Sequence, residues 1–370
     1  MTKTLLVSAN TGWNLVNFRS GILRAACDKG WRVIAAVPPD PVAAARLREL
    51  GCVVEPVSLD SVGLSPRRDL RTLFQFWRLM RRYRPSHYFS WTPKPNVYGG
   101  IAARACGVRA TLNISGLGSV FIADSLLTRF VKLIYRFAFA GAGTIFFQNG
   151  TDRDLFLAAK LARTDQASVL PGSGINIRHF TPAPSERLPS EPLVFLLIAR
   201  LLRDKGVEEY AEAAAALKAA GFSGRFQLLG AIGVANPTAI TADQLQRWID
   251  SGVIEYRGEA DDVRPHIAAA DCIVLPSYRE GTARVLLEAG AMAKPVVATD
   301  VPGCRDPVVD GVTGILCAAR SADSLAEALS AMAALSSDQR RAMGLAGRAR
   351  VEAEYDERIV VDRYMAELER

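Results

Sequence analysis

Histidine and cysteine are scarce in this sequence, which argues against a metal cluster. It contains 3 histidines and 6 cysteines among 370 residues, and no two cysteines form a CxxC pair. Each cysteine has apolar or small neighbours, as the reduced, packed thiols of cytosolic proteins do. We therefore expect neither a metal site nor a disulfide framework.

Long apolar runs are missing as well. No uninterrupted apolar stretch approaches the ~20 residues that a membrane span requires. The first residues, Lys3 to Asn10, become polar too early for a signal peptide and are typical of a first β-strand. Together with the reduced cysteines, these features predict a cytoplasmic protein.

Acidic residues are depleted in the first half only. Residues 1–180 carry 24 Lys+Arg against 10 Asp+Glu, whereas residues 181–370 carry 21 against 28. This asymmetry predicts that the two halves face different partners and that the first half meets something anionic.

Short apolar runs alternate with helical patterns along the whole chain, which predicts an α/β protein with parallel sheets. The length suits two domains of ordinary size. Residues 181–192 contain four prolines and form the best linker. We predict a first domain at residues 1–180, a second at residues 193–350, and a last helix at residues 351–370 that is free to pack back on the first domain.

Two basic stretches of the first half have amphipathic helical patterns. Residues 67–84 contain seven arginines and one acid, Asp69, and residues 126–143 contain Arg129, Lys132 and Arg136 without any acid. The apolar face predicted for the first helix consists of Leu70, Leu73, Phe74, Trp77 and Met80. The packing of these helices does not require so many cations. Their excess indicates a surface that lies on anionic lipid. Nucleic acid is the alternative, but no nucleic-acid-binding motif supports it.

Three turns of the first half follow predicted strands, where ligands bind in parallel sheets. Gly12 is either a simple turn glycine or part of a ligand loop. In the rigid loop Thr92–Asn96, Lys94 either meets a phosphate or is a solvated turn lysine. The turn at residues 115–118 nearly completes a dinucleotide fingerprint, but no acid follows at the required distance, so we discount that reading.

The second half repeats the pattern with charged loops. Arg200 and Lys205 bracket a helix start after its first strand, where cations and free N–H groups can hold a diphosphate. The stretch 271–303 predicts strand, loop, helix and strand, with Thr282 as the helix N-cap. Glu280 in the loop and Glu288 in the helix flank that helix start. Residues 231–242 have the composition of a disordered insertion.

These motifs, in this order, resemble the retaining glycosyltransferases of family 4. Glu280 and Glu288 match the EX7E motif of that family. Arg200, Lys205 and Gly206 match its Arg-x4-Lys-Gly, while Gly12 matches its first glycine loop. Residues 171–176 match its interdomain hinge, and residues 301–303 and 310–314 match its later glycine turns. The resemblance implies the GT-B fold, in which two Rossmann-like, doubly wound domains face a cleft.

Roles for individual residues follow from the resemblance. Lys205 and Arg200 would stabilise the leaving UDP diphosphate, and Glu280 would bind donor-sugar hydroxyls, so that no metal cofactor is needed. Glu288 would accept from the ribose hydroxyls. The donor side would comprise Gly12, Gly230, Glu259, Gly281, Thr282, Ala283 and Glu288. The acceptor side would comprise Thr92, Lys94, Asn96, Gly116 and Gly118. Trp91-Thr92 stand where many members have a histidine, so we assign no catalytic base.

The loops at residues 92–99 and 115–118 resemble those of transferases that act on undecaprenyl-diphosphate-linked sugars. The resemblance implies transfer of a hexose or N-acetylhexosamine from a UDP-sugar, in bacterial surface-glycan or glycoprotein assembly, by a peripheral protein of the inner membrane face. Two alternatives stay open: a UDP-sugar 2-epimerase on the same fold, and an inactive nucleotide-sugar-binding protein. The donor sugar, the acceptor sugar and the linkage cannot be read from these motifs.

Overall fold

A computed structural model describes residues 3–59, 65–116, 126–183, 191–234 and 236–370, with backbone alone for residues 126–130. The chain divides into two compact units. The first comprises residues 1–173 and 357–370, and the second comprises residues 174–356. The chain thus passes from one unit to the other after Ser173, inside the predicted hinge, rather than at residue 180. Most of the predicted linker, residues 184–190, lies outside the described residues.

The first unit is built on one parallel sheet. Its strands are β1 (Thr4–Ser8), β2 (Arg32–Val37), β3 (Val53–Pro56), β4 (His87–Ser90), β5 (Arg109–Ile114), β6 (Ala142–Phe147) and β7 (Ala167–Val169). Their order is β3-β2-β1-β4-β5-β6-β7, and each described pairing is parallel. The order reverses between β1 and β4, so the loops after these two strands border the position where open α/β sheets bind ligands.

Helices cover both faces of this sheet, which is why β1, β2, β4 and β6 are buried almost throughout. They are α1 (Gly12–Asp28), α2 (Pro41–Glu49), α3 (Pro66–Tyr83), α4 (Gly100–Ala105), α5 (Leu126–Phe139) and α6 (Gly150–Ala158), with a π-helical turn at Pro95–Gly99.

The second unit repeats the design with six parallel strands. They are β8 (Val194–Ile198), β9 (Arg225–Leu229), β10 (Glu255–Tyr256), β11 (Cys272–Leu275), β12 (Val296–Thr299) and β13 (Gly314–Cys317), in the order β10-β9-β8-β11-β12-β13. The helices are α7 (Val207–Ala219), α8 (Ala242–Asp250), α9 (Arg264–Ala269), α10 (Arg284–Ala291), α11 (Ala322–Ala334) and α12 (Ser337–Glu354), and a 3-10 turn spans Arg203–Lys205. Here the order reverses between β8 and β11.

The last helix of the chain, α13 (Glu357–Leu368), belongs to the first unit. The ring of Tyr364 lies 5.1 Å from the rings of Phe89 and Phe146, centroid to centroid. The buried carboxylate of Glu367 accepts a 2.7 Å hydrogen bond from Thr144. The helix is therefore fixed to the sheet by both apolar and polar contacts.

Two expectations from the local sequence pattern were wrong. The pattern predicts a first helix from about Phe18 to Lys29, but α1 begins at Gly12, because Thr11 caps it by accepting the Asn14 N–H at 3.1 Å. Residues 231–242 are not a disordered insertion where the structure describes them. Ala239 forms a β-bridge with Leu202, and the side chain of Ile240 is buried. Backbone hydrogen bonds to the loop after β8 and the buried side chain of Ile240 hold the described part of this segment.

Candidate active site

The site in the second unit forms where the loops after β8 and β11 meet. Lys205 ends the 3-10 turn that follows β8, and its ammonium group pairs with the carboxylate of Glu280 in the loop that follows β11. Both side chains are largely buried, at 20% and 16% exposure. Because β8 and β11 are neighbours at the reversal of strand order, these two predicted site residues are brought together by the sheet itself.

Glycines allow the loops to approach this closely. A Cβ atom at Gly206 would lie 2.1 Å from the carbonyl oxygen of Pro276, and one at Gly303 would lie 2.3 Å from that of Glu280. Both glycines have positive φ angles, 72° and 80°. A side chain at Gly206 would push the Lys205 turn away from the loop after β11, and one at Gly303 would push the loop after β12 away from Glu280. Both glycines therefore help to set the geometry of the ion pair.

Tyr278 adds a further tie between the two loops, which the sequence reading missed. Its backbone N–H donates to the Asp204 carbonyl at 3.0 Å, and its hydroxyl donates to the Glu209 carboxylate at 2.5 Å. The guanidinium of Arg320 lies 4.7 Å from the centre of its ring. The position of Tyr278, two residues before Glu280, is the sequence signal that could have pointed to it.

Helix α10 begins later than predicted. Its N-cap is Ala283 rather than Thr282, and no side chain caps its first turn. The reason is the 2.8 Å hydrogen bond from the Ala283 N–H to the Gly303 carbonyl, which holds Ala283 in an extended conformation. With alanine as its N-cap, α10 receives no hydrogen bond from an N-cap side chain. Helix starts of this kind favour anions.

Glu288 lies one turn into α10 and is already engaged. Its carboxylate accepts a 2.8 Å hydrogen bond from Arg284 on the same helix, and the residue is 9% exposed. Burial raises the pKa of Glu288, and the Arg284 guanidinium opposes that rise. Glu288 is therefore a buried hydrogen-bond acceptor, whereas the side chain of Glu280 is slightly more exposed to solvent.

The other donor-side residues occupy the neighbouring loops. Gly230, which follows β9, donates its N–H to the Gly258 carbonyl at 2.8 Å and accepts from the Tyr256 hydroxyl at 2.9 Å. Glu259 comes directly after Gly258 and is exposed. Arg200 is exposed in the loop after β8. All of these residues lie at the carboxyl edge of the second sheet.

In the first unit, Thr92 and Asn96 hold loops in place. Thr92 accepts the Asn10 N–H at 2.9 Å, which joins the loops after β4 and β1. Asn96 is 1% exposed, accepts from Ser90 at 2.6 Å and donates to the Asn113 carbonyl at 2.7 Å. Gly12 lies in the first turn of α1, packed against α2, where a Cβ atom would come within 2.7 Å of Ala43. Gly116 follows β5, and Gly118 lies outside the described residues.

Lys94 is not a solvated turn lysine. Its ammonium group lies 2.8 Å from the Asp69 carboxylate of α3, and the two side chains are 16% and 9% exposed. Asp69 also accepts the Ser65 N–H at 3.0 Å. A phosphate ligand would have to compete with this buried carboxylate for Lys94.

The predicted apolar face of α3 was wrong in part. Met80 is buried and Leu73 packs against the core, as predicted. Leu70, Phe74 and Trp77 are instead 66%, 54% and 39% exposed, and the buried face is completed by Phe76 and Leu79. Polar contacts of the buried face decide the rotation of the helix. Asp69 pairs with Lys94, and the hydroxyl of Thr72 donates to the Ser58 carbonyl at 2.7 Å.

Helix α5 also exposes apolar side chains next to a cation. Leu133 and Phe137 are 64% and 55% exposed, and Arg136 between them is exposed as well. Both α3 and α5 contact α4, so the two helices flank it on the first unit. We call the exposed side chains of α3 and α5 the apolar–basic surface. Among the described helices, none is both long and apolar enough to cross a membrane.

Comparison with known proteins gives consistent results. The family model "Glycosyl transferase 4-like domain" matches residues 18–173, and "Glycosyl transferases group 1" matches residues 192–334. An N,N'-diacetylbacillosaminyl-diphospho-undecaprenol alpha-1,3-N-acetylgalactosaminyltransferase of Campylobacter jejuni is 29% identical, over 96% of this chain and 96% of its own length. The capsular polysaccharide biosynthesis glycosyltransferase CapM of Staphylococcus aureus is 24% identical, over 79% of this chain and 78% of its own.

Solved structures resemble the chain over its full length. Anabaena HepE, in complex with UDP-glucose, matches with a TM-score of 0.81 and 18% sequence identity, over 99% of both chains. This likeness confirms the predicted fold class, two parallel-sheet α/β units of the GT-B type.

Proposed function

The chain belongs to the family 4 glycosyltransferases, and on that premise we propose that it moves a hexose or N-acetylhexosamine from a UDP-sugar to an undecaprenyl-diphosphate-linked saccharide, with retention of configuration. The observation that carries the proposal is the Lys205–Glu280 pair at the carboxyl edge of the second sheet, beside the uncapped start of α10. The full-length similarity to a transferase named for such a lipid-linked acceptor supports the acceptor class.

On the donor side, positive charge and hydroxyl acceptors lie next to each other. Lys205, Arg200 and the first N–H groups of α10 would stabilise the diphosphate as the glycosidic bond breaks. Glu280 would exchange part of its contact with Lys205 for hydroxyls of the donor sugar. Glu288, with one oxygen on Arg284, would offer its other oxygen to the ribose.

The pairing of Glu280 with Lys205 favours transfer on the front face of the donor without a covalent intermediate. A glutamate that forms a glycosyl–enzyme bond works with a second carboxylate at ~5 Å. In the described structure, the carboxylate of Glu280 instead forms an ion pair with the ammonium group of Lys205. Trapping a glycosyl adduct on Glu280 by mass spectrometry would contradict this step.

We also propose that the enzyme works without a metal ion, because cations and helix N–H groups supply the charge that the leaving UDP needs. Turnover should be unchanged by EDTA. A loss of turnover that Mg²⁺ or Mn²⁺ restores would contradict this.

The apolar–basic surface supports peripheral binding to an anionic membrane. Amphipathic helices that combine exposed aromatic residues with arginine bind the headgroup region of such membranes. The lipid-linked acceptor would then be bound where it resides, and the partner of the basic first half would be the bilayer.

The deciding experiment measures UDP release from a panel of UDP-sugars, with and without an undecaprenyl-diphosphate-linked N-acetylhexosamine. We expect UDP release that depends on the acceptor and an elongated lipid-linked product. A free, epimerised sugar would identify an epimerase. Binding of UDP-sugars without any turnover would identify an inactive binding protein.

A further inference from the structure

A tyrosine next to the Lys205–Glu280 pair has no role in the function proposed above. Tyr278 lies in the loop that follows β11, two residues before Glu280. Its backbone N–H donates at 3.0 Å to the carbonyl of Asp204, the residue before Lys205. Tyr278 is thus close in sequence to one member of the ion pair and is bonded to the chain neighbour of the other.

The side chain of Tyr278 joins two further elements. Its hydroxyl donates at 2.5 Å to the carboxylate of Glu209, in the first turn of α7. The guanidinium of Arg320, between β13 and α11, lies 4.7 Å from the centre of the ring. Burial, and after it the bond to Glu209, raises the pKa of Tyr278, so the hydroxyl keeps its proton and acts as the donor. Tyr278 therefore connects the segments that follow β8, β11 and β13.

Glu209 depends on the tyrosine for its hydrogen bond. Its second oxygen is buried, and no donor in the described part of the chain reaches it. The neighbouring Glu208 is held instead by Arg203 at 2.7 Å and by Gln244 at 2.8 Å. Loss of the tyrosine hydroxyl would leave a carboxylate with a buried oxygen without any donor, which is costly. The hydroxyl is therefore firmly held on α7.

The two bonds of Tyr278 lie on either side of Lys205 in the chain, one at Asp204 and one at Glu209. Groups that stabilise developing charge act most strongly when their positions are fixed before the reaction. A lysine side chain is flexible, so its ammonium group is placed only as well as the turn that carries it.

We propose that Tyr278 is a positioning residue, which holds the Lys205 turn so that the ammonium group meets the diphosphate of the nucleotide-sugar. The inference rests on the proposed function, since it needs a diphosphate at Lys205.

A purely structural role is the alternative, in which the same contacts stabilise the second unit and do nothing else. The chain contains a matched tyrosine that separates the two roles. The hydroxyl of Tyr83 donates to the Glu55 carboxylate, and the guanidinium groups of Arg32 and Arg82 lie 5.3 Å and 5.1 Å from its ring. Tyr83 belongs to the first unit. Replacement by phenylalanine removes the same kind of bond at both positions, but only Tyr278 is bonded next to the ion pair.

The test compares Tyr278→Phe and Tyr83→Phe with the wild type by calorimetry, with UDP and uridine as the two ligands. Uridine lacks the diphosphate, so the ratio of the two dissociation constants reports the placement of the cation. For Tyr278→Phe we expect the Kd of UDP to rise about 5-fold, with the Kd of uridine unchanged. In steady-state kinetics, kcat should fall about 10-fold, because a misplaced group loses most of its effect in the transition state. Tyr83→Phe should leave both Kd values and kcat unchanged.

Two further variants show whether Tyr278 acts through its proposed partners. In a Lys205→Met background, Tyr278→Phe should have no further effect on UDP binding, because residues that act as a unit are not additive. Glu209→Gln keeps an oxygen that accepts from the hydroxyl and should retain most of the UDP affinity, whereas Glu209→Leu should behave like Tyr278→Phe.

An unchanged Kd for UDP in Tyr278→Phe, an equal loss for UDP and uridine, or a full effect in the Lys205→Met background would overturn the positioning role. A wild type that binds UDP more tightly than uridine through Tyr278 but turns over no donor would keep that role and refute the proposed reaction. A wild type that binds UDP no more tightly than uridine would refute both.

Discussion

Three close backbone contacts at the edge of the second sheet depend on residues without a side chain. Besides Gly206 and Gly303, a Cβ atom at Gly230 would lie 1.8 Å from the Ala199 carbonyl oxygen. Each glycine touches the backbone of a loop from a neighbouring βα unit. The charged residues of the site therefore depend on glycines for their separation.

Replacement of Glu280 by Gln keeps the size of the side chain and removes its charge. We expect kcat to fall about 10²–10³-fold, because in the proposed mechanism Glu280 accepts hydrogen bonds from the donor sugar in the transition state, and a neutral amide would accept them less strongly. Membrane binding should not change, since Glu280 lies in the second unit. The kinetic control is Glu369→Gln, which makes the same charge change on the exposed Lys29 pair. Equal activity of the two variants would refute the role of Glu280.

Ala293 carries backbone strain at the end of α10. Its φ angle is 54°, in the left-handed region, directly after the C-cap residue Met292. Glycine is the usual residue there. We expect Ala293→Gly to stabilise the protein by about 0.5–1 kcal/mol. The substitution relieves the strain of the left-handed conformation, and this gain exceeds the loss that comes from the greater entropy of glycine in the unfolded chain.

Denaturant unfolding measures this gain, with Ala215→Gly as the matched control. Ala215 is exposed in the right-handed interior of α7, so the same substitution there should cost about 1 kcal/mol. If both variants lost stability equally, the strain at Ala293 would not be real.

At the scale of elements, α3 shows how polar contacts can override a hydrophobic pattern. Its apolar residues surround much of the helix, so the pattern allows more than one rotation. The buried pair Asp69–Lys94 and the Thr72 hydrogen bond select one of them. A buried charge left without its partner costs more than an exposed aromatic ring.

Two phenylalanines of α3 test this rotation. Phe76 is 0% exposed, so Phe76→Ala should destabilise the protein by about 3–5 kcal/mol through the cavity it leaves. Phe74 is 54% exposed, so Phe74→Ala should change the unfolding free energy by less than about 0.5 kcal/mol. In vesicle sedimentation, Phe74→Ala should bind anionic vesicles more weakly than the wild type, whereas Phe76→Ala should bind them as the wild type does. A larger loss of unfolding free energy in Phe74→Ala than in Phe76→Ala would support the apolar face predicted from the sequence.

At the scale of the whole molecule, charge and chemistry are divided between the two units. The excess of cations lies in the first half of the chain, together with the apolar–basic surface. Residues 181–356 of the acidic half fold into the unit that holds Lys205, Glu280 and the start of α10, whereas α13 belongs to the first unit. Under the proposed function, the membrane and the acceptor would bind to the first unit and the nucleotide-sugar to the second.

The membrane proposal makes a salt-dependent prediction. The protein should sediment with vesicles that contain anionic lipid, and most of it should be released near ~0.5 M salt, where the screening length falls to a few Å. The exposed aromatic residues should leave a smaller fraction that resists salt, and Phe74→Ala should abolish that fraction. Binding to neutral vesicles as strong as to anionic ones would contradict the electrostatic contribution.

The sequence by itself determined the alternation of strands and helices, the fold class and the family, because these depend on local hydrophobic periodicity and on motifs that chemistry holds at fixed spacing. It also singled out Lys205 and Glu280, which the structure pairs. Only the tertiary structure decided the rotation of α3, the engagement of Lys94 by Asp69, the start of α10 at Arg284 and the tie made by Tyr278. Each of these depends on a partner distant in sequence, whose position is set by the packing of the sheet and its helices rather than by the residues next to it.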